Sequence, residues 1–164
     1  MASTTPDAPK PSLAYELHIE VDLNPKIDVG VGPQGQRYWI SFTGGRWTAE
    51  WGRGTVEPGG QDSQVVLSDL SAKIDTAYLL KTDDDVPAYI CIKTRGWRTG
   101  PREVLEALAD PAKADTVDPS SYRFRLYIDM ETGDERYLFV NTRMWVGSGV
   151  RQGAKVIYDA YKIE

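Results

Sequence analysis

Acidic side chains near the ends of predicted strands are the groups in this sequence best suited to proton transfer. Asp62, Asp75 and Asp83 each lie at or near such an end. A carboxyl group that folding removes from water has a raised pKa and can then act as a general acid. Turn capping and simple solvation compete with this interpretation, and for any single aspartate they are the more common explanations. We take Asp62 and Asp75 as candidate acids.

A second group of polar side chains lies in phase with aromatic residues. Arg125 shares one face of a predicted strand with Tyr127, opposite an apolar face. On the next predicted strand, one face mixes rings with hydrogen-bonding groups: Tyr137, Phe139, Asn141, Arg143 and Trp145. A mixed face of this kind is typical of a ligand-lined barrel interior. A solvent-exposed face, or a subunit interface in a homo-oligomer, explains the same pattern equally well.

Standard catalytic and cofactor motifs are absent from the sequence. It has no GxSxG elbow, no phosphate-binding P-loop, no HExxH helix and no dinucleotide fingerprint after a strand. His18 is the only histidine and Cys91 the only cysteine, which disfavours zinc catalysis and excludes an internal disulfide. We therefore predict no metal and no cofactor, which leaves acid–base chemistry by side chains or binding alone.

Alternation of apolar and polar residues, punctuated by glycine, proline and aspartate, dominates the chain after its first residues. It predicts strands at 13–21, 37–43, 47–56, 63–67, 72–82, 88–94, 122–130, 136–146 and 154–163. Short turns between them favour an antiparallel meander that hides its edges by closing. We predict an all-β fold, an antiparallel β-barrel of about 8–10 strands, with a two-sheet sandwich as the alternative.

One segment has helical periodicity instead. Val104, Leu105 and Leu108 follow Pro101, a residue suited to the first turn of a helix. We expect one short helix between Pro101 and Ala109 in a long insertion, either as a lid over a ligand site or as a plug of one barrel end. Residues 1–12 are expected to be a disordered leader, and residues 13–164 a single barrel domain.

Charge and hydropathy narrow the range of partners. The net charge of −5 and the isoelectric point near 5.0 disfavour a nucleic-acid partner, because phosphate binding needs a basic surface. No apolar run has the roughly 20 residues of a membrane-spanning helix, and the first residues lack the apolar stretch of a secretory signal. We expect a cytoplasmic protein without a membrane partner.

A series of different short motifs follows along the chain. They are GPQGQR at 32–37, GG at 44–45, GxVxPGGQD at 54–62, IDxxY at 74–78, KTDD at 81–84, RG at 95–96, FR at 124–125, ETG at 131–133, YxxxN at 137–141, VGxGxR at 146–151 and VxYDxY at 156–161. Together they resemble the family called domain of unknown function 3237 (DUF3237), also known as uncharacterised protein family 0311. The resemblance covers nearly the whole domain and implies an antiparallel β-barrel.

Some fungal members of that family resemble tailoring proteins of aromatic polyketide pathways. For those members the implied reaction is cofactor-free cyclisation of a prenylated phenol by hydroalkoxylation, as in a phenalenone-pathway cyclase of secondary metabolism. The family's polar pattern falls on Asp62, Asp75, Tyr78, Thr82, Arg125, Tyr137, Asn141 and Arg151. Ser63 and Ala77 depart from the pattern, because the family usually has an aromatic residue and an arginine there. Both departures remove bulk or charge, which suggests either an enlarged pocket or the loss of an ancestral activity.

The resemblance and the residues lead to three hypotheses. In the first, the chain is a cyclase or isomerase in which Asp62 or Asp75 is the acid, assisted by Arg125 and Tyr137. Its aromatic small-molecule substrate is then held by the following residues: Trp39, Trp51, Tyr78, Thr82, Asn141, Trp145 and Arg151. In the second, a lipocalin-like barrel binds a small molecule without converting it. In the third, an oligomeric structural or regulatory domain has its interior filled by side chains.

Overall fold

A computed structural model describes residues 5–164. The strands are β1 (Leu13–Leu23), β2 (Ile27–Gly32), β3 (Gly35–Ala49), β4 (Gly52–Val56), β5 (Gln61–Val66), β6 (Ala72–Thr82), β7 (Tyr89–Thr99), β8 (Arg123–Glu131), β9 (Trp145–Gln152) and β10 (Lys155–Ile163). The helix α1 spans Arg102–Ala109, and short 3₁₀ helices span Ala114–Thr116, Pro119–Ser121 and Leu138–Thr142. Within the described range no helix is long and apolar enough to cross a membrane.

The strands close into a barrel because β1 pairs on both of its sides. It is antiparallel to β10 along one edge and to β3 along the other. The order around the ring is β1, β10, β9, β8, β7, β6, then β4 and β5 in one shared position, then β3. The ring thus has eight strand positions, and β2 is an extra strand on β3. The predicted antiparallel barrel with one short helix is confirmed.

Strict alternation decides which side chains enter the barrel. In β8, Phe124, Leu126, Ile128 and Met130 are buried, and the residues between them are exposed. Strands β6 and β7 alternate in the same way over most of their length. Since successive side chains point to opposite faces of a strand, one buried residue fixes the direction of its neighbours.

The predicted strand at 136–146 is wrong. Residues Leu138–Thr142 form a 3₁₀ helix, and β9 begins at Trp145. The Asn141 side chain accepts a hydrogen bond from the Thr132 backbone N–H (2.8 Å) and donates one to the Thr132 carbonyl (2.9 Å). These local side-chain bonds replace the backbone ladder that a strand would need.

The Gly-Ser-Gly segment at 147–149, which falls in the predicted connection between the strands at 136–146 and 154–163, lies inside β9. A Cβ on Gly147 would approach Ile128 and Leu126 to 3.1 and 3.2 Å, and one on Gly149 would approach the Phe124 ring to 3.0 Å. These glycines leave room for large side chains of the neighbouring strand, a role that turn propensity does not reveal. The single strand predicted at 47–56 is also wrong, because the chain turns at Glu50–Trp51 and separates β3 from β4.

The structure describes part of the predicted N-terminal leader, from residue 5 onwards. Residues 1–4 of the predicted leader lie outside the described residues, and residues 5–11 are exposed without helix or strand. Ser12 already exchanges two backbone hydrogen bonds with Glu164, each of 2.9 Å. Regular pairing therefore begins next to residue 13, where the domain was predicted to begin.

The two ends of the barrel are closed differently. At one end an aromatic group is packed around Trp51, whose ring centroid lies 5.2 Å from Trp47, 5.9 Å from Tyr137 and 5.3 Å from Phe139. At the other end α1 covers the opening, with Leu105 and Leu108 buried. The first end is a filled core, and the second retains internal space.

Strands β7 and β8 approach each other closely at Gly96, and a substitution there tests this packing. A Cβ there would lie 1.9 Å from the backbone oxygen of Arg125. We expect Gly96→Ala to lower the free energy of unfolding by about 1–3 kcal/mol or more, because the backbone of β8 cannot move aside cheaply. The matched control is Gly133→Ala, where nothing lies within 4 Å of the added carbon. Urea titration of both variants measures the difference, and equal midpoints would contradict the packing described.

Candidate functional site

A cavity of about 520 Å³ occupies the barrel beneath α1. Much of its wall is apolar and comes from inward positions of several strands: Ile40, Phe42, Ile74, Phe124 and Val156. Leu105 and Ala109 of α1 line it from above. A mostly apolar cavity of this volume is suited to a small organic molecule. The insertion therefore roofs a cavity, as in the lid alternative, instead of filling the barrel.

Asp62 is the only carboxylate among the described residues that line this cavity. It lies on β5 with 6% of its surface exposed. Its Oδ1 accepts a hydrogen bond from the Asp75 backbone N–H (3.0 Å), and its Oδ2 accepts one from the Gln64 side-chain amide (3.2 Å). Burial raises the pKa of Asp62 to about 6, although both hydrogen bonds and the charge of Arg98 oppose the rise.

A pair of phenols lies on the cavity wall. The Tyr78 and Tyr158 hydroxyl groups are hydrogen-bonded to each other across the barrel. Burial raises the pKa of both tyrosines well above the ordinary value, so both are neutral at physiological pH. The Phe42 ring packs edge-on against Tyr78, with centroids 5.3 Å apart. One hydroxyl of the pair donates to the other, which leaves one O–H proton for a ligand.

Cationic side chains complete the cavity near α1. Arg98 enters from β7, Arg151 from β9 and Lys26 from the segment between β1 and β2. The Arg151 guanidinium donates a hydrogen bond to the carbonyl of Leu108 in α1 (3.3 Å). Burial lowers the pKa of Arg98, and the neighbouring charge of Arg151 adds to the effect. The wall thus combines one acid, three phenols (Tyr38, Tyr78 and Tyr158) and three cations with apolar side chains.

Of the residues predicted to form the site, the cavity brings together Asp62, Tyr78 and Arg151. Asp75 and Arg125 lie on the outer face of the barrel. The Asp75 side chain is 59% exposed beside Arg95, and the Arg125 guanidinium donates to the Ser148 hydroxyl (3.0 Å). The expectation that Arg125 lines the interior is wrong, because its neighbour Phe124 points inward and strand alternation sends Arg125 outward.

The cavity does not bring together the three tryptophans predicted to hold the substrate, because no tryptophan is among the described residues that line it. Trp39 is 42% exposed. Trp51 and Trp145 lie at the filled end, where the Trp145 indole N–H donates to Glu16 and Trp51 packs on Trp47. The Trp51 and Trp145 rings therefore belong to the filled end of the barrel, and Trp39 lies partly exposed on β3.

Three further predicted residues support the filled end or its loops. The Tyr137 hydroxyl donates to the Asp84 carboxylate (2.6 Å), and the Thr82 hydroxyl accepts from the Ala88 N–H (2.8 Å). Asn141 holds the Thr132 backbone as described above. None of the three lines the cavity, so the structure gives them packing and turn-stabilising contacts.

The two departures from the family pattern do not enlarge the pocket. Ser63 lies between the inward-facing Asp62 and Gln64 of β5, and Ala77 between the inward-facing Thr76 and Tyr78 of β6. Alternation therefore turns both away from the cavity. The expectation of extra pocket volume is wrong, and both substitutions alter the outer surface.

Sequence reasoning missed several lining residues, above all Gln64, Arg98 and Tyr158. A signal existed for each. Gln64 lies two residues after Asp62, and Tyr158 belongs to the VxYDxY motif. Arg98 continues the inward series of Ile92, Thr94 and Gly96, but the predicted strand ended at Thr94 while β7 runs to Thr99.

The fold and cavity define the class of protein as a closed antiparallel β-barrel with an internal cavity. The model of the family described as "Protein of unknown function (DUF3237)" matches residues 9–163, so the chain belongs to the DUF3237 family. A protein of uncharacterised protein family 0311 from Clostridium acetobutylicum is 32% identical over 129 residues, covering 79% of this chain and 78% of that protein.

Solved structures agree with the barrel. A β-barrel-like protein from Acinetobacter baumannii is 36% identical with a TM-score of 0.82, covering 96% of this chain and 99% of that one. A conserved protein of unknown function from Rhodopseudomonas palustris is 27% identical with a TM-score of 0.86, covering 96% and 100%. An enzyme from Penicillium herquei is 18% identical with a TM-score of 0.70, covering 98% and 100%, which shows a shared fold.

Asp62 predicts a pH dependence of folding stability. Its folded-state pKa of about 6 exceeds the ordinary 3.8, so the native state binds the proton more tightly than the unfolded chain does. This stabilisation is complete below about pH 4 and is lost as the pH rises to about 6, a change of roughly 3 kcal/mol. We expect Asp62→Asn to remove that loss and to be more stable than wild type above pH 6. Thermal unfolding of both proteins from pH 4 to 7 measures it, and parallel curves would contradict the raised pKa.

Proposed function

We propose that this protein is a cofactor-independent acid–base cyclase or isomerase that acts on an aromatic small molecule in the barrel cavity. The single observation that carries the proposal is Asp62. It is the one carboxylate among the described lining residues, it is buried, and its pKa is raised to about 6. A carboxyl whose pKa is raised to about 6 keeps a fraction of its proton near neutral pH, where an ordinary aspartate has lost nearly all of it, and general-acid catalysis uses that protonated fraction.

The proposed reaction is intramolecular hydroalkoxylation of a prenylated polyketide phenol. Asp62 donates its proton to one alkene carbon, the C=C π bond breaks and a C–H bond forms. The phenol oxygen attacks the other, cationic carbon to form a C–O bond. The phenolic proton then passes to the Asp62 carboxylate, which restores the acid. The product is an isomer of the substrate, so no oxidant, reductant or second substrate is consumed.

The walls of the cavity suit the charge that develops in this reaction. Positive charge on the alkene would lie among the rings of Phe42, Tyr78, Phe124 and Tyr158, whose π faces attract cations. Bulk water would trap such a cation, and the roof formed by α1 limits the access of water. The Tyr78–Tyr158 pair offers a hydroxyl proton to the phenol oxygen or to a carbonyl of the substrate.

The fungal neighbour described as an enzyme adds support of a different kind, since it indicates that a barrel of this shape can host catalysis. The competing function is a lipocalin-like carrier. The enclosed, largely apolar wall favours it, because such a wall binds a ligand whether or not chemistry follows.

Separate substitutions of Asp62 and Asp75 test which of the two aspartates is the general acid. We expect Asp62→Asn to abolish conversion of an ortho-prenylated phenol to its cyclic isomer, because the shape remains but the proton does not. Asp75→Asn is the matched control, because Asp75 is adjacent in space and its side chain lies on the outer face. Chromatographic separation of substrate and isomer measures both rates.

Dependence on pH gives a second readout of the same assignment. Activity of the wild type should fall about tenfold per pH unit above pH 6 as Asp62 loses its proton. Full turnover by folded Asp62→Asn would remove Asp62 from the mechanism. Calorimetric binding by wild type, with unchanged phenol recovered after long incubation, would favour the carrier.

A further inference from the structure

The charge of the cavity is opposite to that of the protein. The chain carries a net charge of −5, and acidic residues outnumber basic ones, 24 to 19. The described residues that line the cavity instead contribute three cations, Lys26, Arg98 and Arg151, and one carboxylate, Asp62. The positive surplus is therefore specific to this site and is not a consequence of overall composition.

Of the three cations, Arg98 gives the strongest evidence for a missing anionic partner. It follows the inward positions of β7, and its Nε is buried with no hydrogen-bond partner among the described residues. The ion pairs of residues 5–164 do not include it. The charge of Asp62 acts on Arg98 without a direct ion pair. A buried guanidinium that lacks a hydrogen-bonded anion is costly, because a desolvated charge needs a partner.

Arg151 and Lys26 extend the cationic region towards the opening. One guanidinium nitrogen of Arg151 is bound to the Leu108 carbonyl, but its buried Nε has no partner among the described residues. The Lys26 ammonium lies over the Tyr38 ring, 4.3 Å from its centroid. Burial is the largest cause of the lowered pKa of Lys26. The positive charges of Arg151 and Arg98 lower this pKa further, so the three cations repel one another.

The acid lies deeper in the barrel than the cations. Arg98 is level with Ala72 of β6, and Asp62 is level with Thr76. Four residues along a strand correspond to roughly 13 Å between these backbone levels. The cavity therefore has an order from its roof inwards: unpaired positive charge near α1, then apolar walls, then the buried carboxyl.

We propose that the cavity recognises an amphipathic organic anion, whose carboxylate or delocalised enolate is held by Arg98 and Arg151 near α1 while its apolar body extends into the barrel. This inference names the substrate class of the proposed function and rests on the same cavity. Guanidinium groups match the planar oxygen pair of such an anion, and an anion would supply the missing partner of Arg98. Low-dielectric walls also concentrate the attraction.

Paired ligands of equal shape test the charge alone. Calorimetry should show 2-naphthoate binding the wild-type protein at least tenfold more tightly than neutral 2-naphthamide. Arg98→Met and Arg151→Met should each remove most of that preference. Arg125→Met is the matched control, because that arginine lies on the outer face and should leave the preference intact. The wild-type comparison is informative even where a variant fails to fold.

Asp62→Asn separates this inference from the proposed reaction. It should retain or strengthen the preference for 2-naphthoate, because it removes the one negative charge in the cavity, while losing turnover. Loss of all turnover in wild type with the anion preference intact would end the cyclase proposal and leave the anion site. Equal affinity for the two ligands, binding of neither, or a preference unchanged in both arginine variants would overturn the anion site.

Discussion

The double pairing of β1 is the constraint on which the rest of the structure depends. Because β1 is bonded to β3 on one side and to β10 on the other, the sheet has no free edge within its ring. Closure forces every inward side chain into a shared interior of limited volume. Asp62, Arg98, Tyr158 and Arg151 come from four different strands, and closure alone makes them neighbours. Burial in that interior raises the pKa values of Asp62 and Tyr158 and lowers the pKa of Arg98.

The filled end and the cavity lie at opposite ends of the same strands and differ in the hydrogen bonding of their buried polar groups. Trp47 and Trp145 are almost fully buried at one end and make their indole hydrogen bonds to Lys81 and Glu16. The Trp51 indole Nε1 at the same end is buried without a partner among the described residues, so hydrogen bonding in this core is incomplete. At the other end Arg98 and Arg151 keep buried nitrogens without partners among the described residues. Two of the four buried side-chain atoms that lack a partner among the described residues therefore belong to cations that line the cavity, where a ligand can reach them.

Local pattern predicted the barrel well and the site only in part, for identifiable physical reasons. Alternation located β6 and most of β5, while Asp62 was found as a carboxyl at a strand end and Tyr78 through the family pattern. It failed at Tyr137 and Asn141, because an alternating stretch formed a 3₁₀ helix held by side-chain bonds to Thr132. Arg125 was misplaced although Phe124 carried the correct phase, since an arginine beside aromatic residues resembles a pocket residue on either face. Arg98 can be recognised as a lining residue only when the true length of β7 is known. That length is set by pairing of β7 with the neighbouring strand β8.

The separation of the two ends also bears on how such a barrel tolerates mutation over evolutionary time. The residues that fill the barrel lie around Trp47, Trp51 and Trp145, and the residues that we propose to bind a ligand lie under α1, so the two groups are separate in the structure. Relatives only 27% and 36% identical to this chain still superpose with TM-scores of 0.86 and 0.82. A scaffold organised in this way can drift towards new ligands by replacing a few side chains beneath its roof, without first acquiring compensating stability.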